Sequence, residues 1–314
     1  MIGSDTLLAH LRPLIRSHDG EDAVAVVARE PPRVATHHVS EILTVRCASD
    51  RMLMLLIKYD TKPAMIAGRL STGARYEALV YERVLTPLGV TVPACYGVWR
   101  DADSGATVLA RAYVNAVKPR PGPVARLSLA AAWIGRLHAL AQPAITSNMS
   151  AALNTYTKEV YHYWAVRTRA FERRTQAARA WLSSVIDRLD PVFDRLLGAS
   201  QTVIHGDFYT DNTVYHDGRL SVFDWEETAI APGEIDLATL TYDWHDEVVQ
   251  ACEAAYCRAR WPEGAPASFA DTLEAARVFV YLRLLGEARG WPNRSTRRWR
   301  VELLRRSAGR MGLL

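Results

Sequence analysis

The chain has 314 residues, of which 49% are hydrophobic and 23% charged, with a formal net charge of +4. This composition excludes a mainly disordered chain, and the length is enough for one large domain or two lobes. The mild positive charge alone favours no class of ligand. Four cysteines, at 47, 95, 252 and 257, show no metal-binding spacing, which predicts reduced thiols in a reducing compartment.

No segment has the pattern of a targeting signal or a membrane span. The first residues lack the apolar core of a secretory signal, and apolar runs such as Met52–Ile57 fall far short of the ~20 residues that span a bilayer. We therefore expect a cytoplasmic protein without a membrane partner. The basic residues match no known nucleic-acid-binding motif, so nucleic acid is not an expected partner either. The sequence gives no indication of oligomeric state.

The N-terminal part combines one or two helices with short strands. Leu7, Leu11 and Ile15 recur at helical spacing and predict an amphipathic helix over residues 1–20. The next predicted elements are strands at 24–27, 41–47 and 52–58, a helix at 72–88, and strands at 96–99 and 107–110.

The segment K-P-R-P-G-P at 118–123 is the strongest interruption, because neither a helix nor a central strand continues through it. It predicts a boundary near residues 111–117. Beyond it, apolar stripes of helical period predict helices at 127–140, 157–182, 183–197, 235–260, 268–290 and 295–309. We expect an α+β, bilobal protein with an N-terminal helix (1–20), a small antiparallel-sheet lobe with one helix (21–114) and a larger, mainly helical lobe (115–314).

One stretch interrupts the C-terminal helices with strand-like runs and carries three residues of chemical interest. Asp207 follows a short apolar run, Asn212 comes five positions later, and Asp224 ends the run L-S-V-F. The pair Asp217-Gly218 between two apolar runs predicts a hairpin. An aspartate, an asparagine and a second aspartate in this order suit phosphoryl transfer from a magnesium-bound nucleoside triphosphate.

Each of the three residues has a predicted role in that reaction. Asp207 would orient the acceptor hydroxyl and take its proton. The amide oxygen of Asn212 and the carboxylate of Asp224 would bind Mg²⁺ against the phosphates of ATP or GTP. Glu226 would lie behind this metal ligand. Any one of these residues alone is typical of a cap or a turn, so the prediction depends on their joint spacing.

The runs H-G-D-F-Y-T-D-N, V-F-D-W-E and G-E-I-D-L-A together resemble the aminoglycoside phosphotransferase family, which includes choline-kinase-like enzymes and shares the protein-kinase-like fold. The resemblance covers roughly residues 20–290 and is specific in 203–238. It implies small-molecule acceptors such as aminoglycosides, macrolides, choline, homoserine or methylthioribose. It also implies that Asp236 braces the loop of Asp207, although a helix N-cap is an equal alternative.

The resemblance extends into the N-terminal part. Lys58 ends the apolar run M-L-M-L-L-I-K and would contact the α- and β-phosphates. Glu77 would hold that lysine in place, with Glu82 as the alternative partner. The resemblance places nucleotide-contacting residues at Ala112 and Tyr113, in a hinge near 111–114.

Two further features follow from the resemblance. The loop over the phosphates would lie near Pro31–Ser40, where this chain has no glycine and Ser40 would serve instead. The helix around His138 would pack under the loop of Asp207, so His138 is expected to be structural.

The acceptor is less well indicated. Asp243, Trp244, Asp246 and Glu247 would suit a cationic acceptor, or they form an exposed helix face with one core tryptophan. The arginine-rich segment at 294–310 would repel a polycation if it lay near the acceptor, and it also fits a solvated helix.

Three functions therefore stay open. The preferred one is a Mg²⁺-dependent phosphotransferase that moves the γ-phosphate of ATP or GTP to a hydroxyl group of an antibiotic, an aminoglycoside-like natural product or a metabolite, in resistance or biosynthesis. The second is a Ser/Thr kinase acting on a peptide natural-product precursor. The third is a non-catalytic binding protein that keeps the fold.

Overall fold

The chain forms two compact units, each assembled from two stretches of sequence. The structure, a computed structural model, describes residues 2–32, 39–60, 65–66, 70–115, 122–175, 180–216, 219–287 and 294–314. The first unit comprises Met1–Pro119 with Thr213–Glu227, and the second comprises Arg120–Asn212 with Thr228–Leu314. The division at residues 20 and 114 stays a prediction. Within the described ranges, no helix combines the length and the apolar character needed to cross a membrane.

The first unit is built on a five-stranded antiparallel sheet with the strand order β1-β2-β3-β7-β6. Two short strands, β4 and β5, and the hairpin β10–β11 pair separately. Its elements are α1 (Ser4–Asp19), β1 (Ala23–Glu30), β2 (Val39–Cys47), β3 (Met52–Asp60), β4 (Met65–Ile66), β5 (Leu70–Ser71), α2 (Ala74–Val80), β6 (Cys95–Arg100), β7 (Thr107–Ala112), β10 (Thr213–His216) and β11 (Arg219–Val222).

The core of this unit forms between α1 and the sheet. Leu7, Leu11 and Ile15 are fully buried on one face of α1, as their spacing of four residues predicts. They pack in one apolar cluster with strand residues such as Leu43 and Leu55. The central strand β3 lies between β2 and β7 and is buried almost along its whole length, on both faces, which agrees with its nearly continuous apolar sequence.

The helix expected over 72–88 has a different form. It begins as the α-helix α2 and continues as a π-helical turn over Tyr81–Leu85. The expectation of one regular helix was therefore wrong in this respect. A π-helical turn is rare and is often found at functional sites, and a hydrophobic periodicity does not reveal it.

The second unit is mainly helical, with one small sheet in the order β8-β12-β9. Its elements are α3 (Pro123–Ala144), α4 (Ser147–Ala152), β8 (Asn154–Thr155), α5 (Lys158–Thr175), α6 (Ala180–Asp187), α7 (Asp190–Gly198), β9 (Gln201–Ile204), β12 (Ala229–Pro232), α8 (Glu234–Thr241), α9 (Asp246–Arg260), α10 (Phe269–Gly286) and α11 (Arg294–Arg310).

Two long helices predicted in this part are each divided in the structure. The segment 183–197 is split between α6 and α7, where Pro191 occupies the first turn of α7 and favours a new start. The segment 235–260 is split between α8 and α9 by the turn around Asp243. By contrast, α10 is a single helix that is buried nearly all round, which makes it the central helix of the unit.

Candidate active site

A cluster of charged residues surrounds Lys58 in the first unit. The Lys58 ammonium lies 3.1 Å from Glu77 Oε2, 2.8 Å from Asp224 Oδ1 and 2.9 Å from Glu226 Oε2. Its three N–H donors therefore have three carboxylate acceptors. We call these four residues the lysine cluster. Of the two glutamates considered as partners of Lys58, the structure brings Glu77 to the lysine, whereas Glu82 pairs with its neighbour Arg83.

The electrostatics of the lysine cluster follow from burial and from an excess of carboxylates. Burial by itself would lower the pKa of Lys58, but the carboxylates of Glu77, Asp224 and Glu226 outweigh burial and hold this pKa above its ordinary value. Burial raises the pKa of Glu77, and the nearby ammonium of Lys58 opposes that shift. With all four groups ionised, the ammonium of Lys58 faces three carboxylates, and the positive charge of Arg111 near Glu77 offsets part of this excess. The remaining negative charge favours an additional cation.

Asp224 enters the cluster from an unusual backbone conformation. It follows the hairpin β10–β11 and has φ = 71°, in the left-handed region that non-glycine residues seldom adopt. The preceding residue, Phe223, lies under the guanidinium of Arg111, 4.7 Å from the ring centre. Strained conformations of this kind are concentrated at functional sites, which makes Asp224 a candidate on backbone grounds as well as by its motif.

The other nucleotide-site candidates of the first unit lie on the sheet. Ala112 ends β7, and its N–H donates to Ala94 O at 2.7 Å, while the N–H of Tyr113 donates to Met54 O at 2.9 Å. Both N–H groups are thus engaged inside the unit, so a nucleotide contact by these residues would use carbonyl or side-chain groups. Ser40 lies in β2 directly opposite Lys58. Most of the predicted phosphate loop, residues 33–38, lies outside the described residues.

In the second unit, Asp207 and Asn212 lie together in the loop that follows β9. The Asn212 Nδ2 donates to Asp207 Oδ2 at 3.0 Å and to the Asp207 backbone carbonyl at 2.8 Å. A short 3-10 turn over Thr210–Asn212 brings the two residues together. We call residues 205–212 the Asp207 loop. Because the amide nitrogen faces Asp207, the amide oxygen of Asn212 is the end that remains for a metal.

The start of the Asp207 loop is held by a fully buried carboxylate. Asp236 in α8 accepts hydrogen bonds from the backbone N–H groups of His205 at 2.7 Å and Gly206 at 2.9 Å. It also lies 3.1 Å from His138 Nε2. Asp236 therefore contacts the loop directly, whereas a helix N-cap, the alternative role, would bind only the N–H groups of its own helix. Gly206 has φ = 82°, which favours glycine at this position.

His138 belongs to a buried hydrogen-bond network under the loop. Its Nδ1 lies 2.9 Å from Tyr256 Oη, and Arg260 Nη1 donates to the same hydroxyl at 2.6 Å. Burial holds the pKa of His138 below its ordinary value, and the hydrogen bond to Asp236 opposes this shift. The neutral imidazole then donates from Nε2 to Asp236 and accepts at Nδ1 from Tyr256. His138 is therefore structural, as expected.

One contact of Asp207 was missed in the sequence. Arg283 in α10 lies with Nη2 3.1 Å from Asp207 Oδ1, and its Nη1 donates to the Gly206 carbonyl. Its Nε lies 2.6 Å from Glu287 Oε1. The available signal was a cationic residue within the apolar run at the end of α10, but that signal does not identify the partner.

A family model described as the phosphotransferase enzyme family (APH) matches residues 70–279, which is more than half of the chain. The chain belongs to this family. It is therefore a small-molecule phosphotransferase with an alcohol group as acceptor, which confirms the enzyme class predicted from the motifs. The match includes Glu77, the Asp207 loop, Asp224 and Asp236, whereas Lys58 precedes it.

Solved structures share the fold of this phosphotransferase at low sequence identity. A fructosamine-3-kinase candidate from Thermobifida fusca is 21% identical with a TM-score of 0.59, over 98% of this chain and 100% of the other. Choline kinase from Streptococcus pneumoniae is 15% identical with a TM-score of 0.58, over 98% and 99%. An amicoumacin kinase in complex with AMP-PNP, Ca²⁺ and Ami is 14% identical with a TM-score of 0.56, over 88% and 90%.

These similarities confirm the predicted α+β, protein-kinase-like fold and do not by themselves transfer an acceptor to this phosphotransferase. No curated protein sequence matches the chain. Residue roles and the choice of nucleotide, metal and acceptor therefore stay predictions.

The donor atoms of the phosphotransferase fit a hard divalent cation. Asp224 supplies carboxylate oxygens in a cluster with excess negative charge, and Asn212 supplies an amide oxygen; both are ligand types that Mg²⁺ accepts. Among the described residues, no group of three or more histidine, cysteine and acidic side chains is arranged to hold a metal. Mg²⁺ usually takes one or two protein ligands together with substrate phosphates and water.

The acid-and-aromatic segment after α8 has a structural role in part. Asp246 and Glu247 are exposed in the first turn of α9, where negative charge stabilises a helix. Burial raises the pKa of Asp243, and nearby Arg300 opposes this shift. The guanidinium of Arg300 also lies 5.6 Å from the ring centre of Tyr242. The segment therefore combines cationic and acidic groups and favours no single acceptor charge.

Proposed function

We propose that this phosphotransferase moves the γ-phosphate of ATP or GTP to a hydroxyl group of a small molecule, with Asp207 as the general base. The observation that carries the proposal is the arrangement at Asp207. One of its oxygens contacts Arg283 and the other contacts Asn212, and the carboxylate remains 29% exposed. A base held in one orientation and still open to solvent is what proton abstraction from an acceptor requires.

The residues of both units have separate tasks in this proposal. Lys58, held by Glu77, would place a positive charge on the nucleotide phosphates. Asn212 and Asp224 would hold Mg²⁺, which when bound neutralises charge on the β- and γ-phosphates. Asp207 takes the proton of the acceptor hydroxyl as its oxygen bonds to phosphorus, and the bond from phosphorus to the β-phosphate oxygen breaks to release the nucleoside diphosphate.

The family and the fold support a small molecule as the acceptor. The structures similar to this chain include kinases for choline and amicoumacin, and the latter structure holds a nucleotide analogue together with a divalent cation. A hydroxyl on an antibiotic, another natural product or a metabolite is therefore the acceptor that we propose.

The proposal is tested by measuring nucleotide consumption with Mg²⁺ over a panel of antibiotics, metabolites and hydroxyl-bearing peptides. Asp207→Asn should lower kcat by about 10²- to 10⁴-fold, the usual contribution of a general base, while nucleotide binding stays nearly unchanged. Asp211→Asn is the matched control, because Asp211 is an exposed acid in the same loop. Equal turnover by wild type and Asp207→Asn would refute the assignment of Asp207 as the general base.

The metal assignment has its own measurement. Calorimetry of ATP binding with and without Mg²⁺ should show that Asp224→Ala loses the part of the affinity that depends on Mg²⁺. Asp50→Ala is the control, since Asp50 also has a left-handed backbone, with φ = 60°, but lies in an exposed turn. Retention of the full Mg²⁺ effect in Asp224→Ala would contradict the assignment.

A further inference from the structure

Arg283 in α10 contacts the proposed base, Asp207. The side chain of Arg283 is only 5% exposed and is bound on all sides by oxygens of Gly206, Asp207 and Glu287. A buried guanidinium is costly unless it is paired and hydrogen-bonded. The paired arginine in the last turn of the central helix has the proposed base among its partners.

The Asp207 loop is held from two sides by groups of opposite charge. Asp236 from α8 accepts from the N–H groups of His205 and Gly206. Arg283 from α10 donates to the Gly206 carbonyl and to the Asp207 carboxylate. The peptide groups on both sides of Gly206 thus have charged partners, and these fix the direction in which the chain leaves toward Asp207.

The carboxylate of Asp207 is oriented in the same way. Its Oδ1 faces Arg283 at 3.1 Å and its Oδ2 faces Asn212 at 3.0 Å, so rotation of the carboxylate would break both contacts.

We propose that Arg283 is a positioning residue for phosphoryl transfer: it acts through Asp207, by fixing the orientation of the carboxylate. This inference rests on the proposed function of Asp207. Arg283 itself touches neither the acceptor nor the nucleotide in this role. Glu287 balances the remaining charge of the guanidinium through Nε.

The kinetic test uses Arg283→Met, which keeps the length of the side chain without the charge, and Arg283→Lys, which restores the charge without the two-pronged geometry. Turnover of Mg²⁺·ATP is measured with water as the acceptor and with any alcohol found active in the panel. Arg283→Met should lower kcat about 10²-fold, as misplacement of a catalytic group does, with little change in the KM for ATP. Arg283→Lys should recover part of this loss.

Two kinetic readouts separate positioning from a general structural effect. The loss in Arg283→Met should fall on kcat and not on the KM for Mg²⁺·ATP, because only the geometry of the reacting groups is disturbed. In the Asp207→Asn background, Arg283→Met should cause little further loss, because two residues that act as one unit are not additive. A loss that falls on the KM, together with additive losses in the double variant, would overturn the inference.

The matched control is Arg277→Met. Arg277 is a cation on the same helix, 17% exposed, and it pairs with Glu253 and Glu274 instead of the loop. Its replacement removes a paired arginine from α10, so it should lower stability without the loss of kcat expected for Arg283→Met. Similar kinetics for both methionine variants would also overturn the inference.

A measurement without turnover keeps the inference testable if the proposed function fails. Amide hydrogen exchange of residues 205–212 should become faster in Arg283→Met than in wild type, and Arg277→Met should leave it unchanged. A wild type that consumes no nucleotide with any acceptor would refute the proposed function, whereas unchanged exchange in the loop would refute the positioning role of Arg283.

Discussion

Replacement of Asp236 by alanine should be among the most destabilising single changes in the second unit. The substitution removes the acceptor of three buried donors: the N–H groups of His205 and Gly206 and the Nε2–H of His138. A buried donor left without a partner costs about 1–3 kcal/mol. The three together correspond to about 3–9 kcal/mol, a large share of the 5–15 kcal/mol that is typical of a folded domain.

Urea denaturation followed by far-UV circular dichroism measures this loss. Asp236→Asn keeps one carbonyl oxygen and should fall between wild type and Asp236→Ala, which gives a folded variant if the alanine variant cannot be purified. Asp246→Ala is the control, because Asp246 is exposed at the start of α9 and contributes only the helix-dipole effect of about 0.3–1 kcal/mol. A free energy of unfolding for Asp236→Ala within about 1 kcal/mol of this control would refute the bracing role.

Three further predictions concern single residues. Lys58→Met should raise the KM for Mg²⁺·ATP by about 10- to 100-fold, equivalent to one charge-assisted hydrogen bond; an unchanged KM would mean that another cation contacts the phosphates. Burial holds the pKa of His138 below its ordinary value, so below about pH 6.5 the unfolded chain takes up a proton that the native state lacks. The free energy of unfolding should therefore fall in this range by up to about 1.4 kcal/mol per pH unit. Between pH 5 and 7.5, the free energy of unfolding of His138→Gln should depend less on pH than that of wild type. Parallel curves would exclude His138 as the source of the pH dependence. Gly233→Ala would place a Cβ 2.7 Å from both Arg260 Nη1 and Tyr256 Oη, so it should lower the free energy of unfolding by about 1–3 kcal/mol in thermal or urea denaturation. Gly198→Ala is the control, because nothing lies within 4 Å of its added Cβ, and it should not lower the stability.

The features that could be predicted from the sequence are those that depend on residues close together in the chain. Asp207 and Asn212 are joined by one short turn, so their spacing already predicts their contact. The apolar run that ends at Lys58 predicts a central strand because only a strand covered on both faces is apolar throughout. The α+β class follows from the same local patterns.

The remaining contacts depend on packing between distant segments. Lys58 and Glu226 are separated by 168 positions, and Arg283 and Asp207 by 76, so no periodicity connects them. The π-helical turn at Tyr81–Leu85 was not visible either, since an apolar pattern has nearly the same spacing in an α-helix and in a single π turn.

The anchoring of the Asp207 loop through peptide groups has a consequence for protein engineering. Asp236 and Arg283 bind backbone atoms around Gly206, so they hold the start of the loop through groups that every residue type possesses. Library mutagenesis of the exposed Asp211 should therefore tolerate wide variation, whereas Phe208, which is fully buried and stacks with Trp133, should not. A graft of the loop into another scaffold, however, would work only if helices equivalent to α8 and α10 were transferred with it.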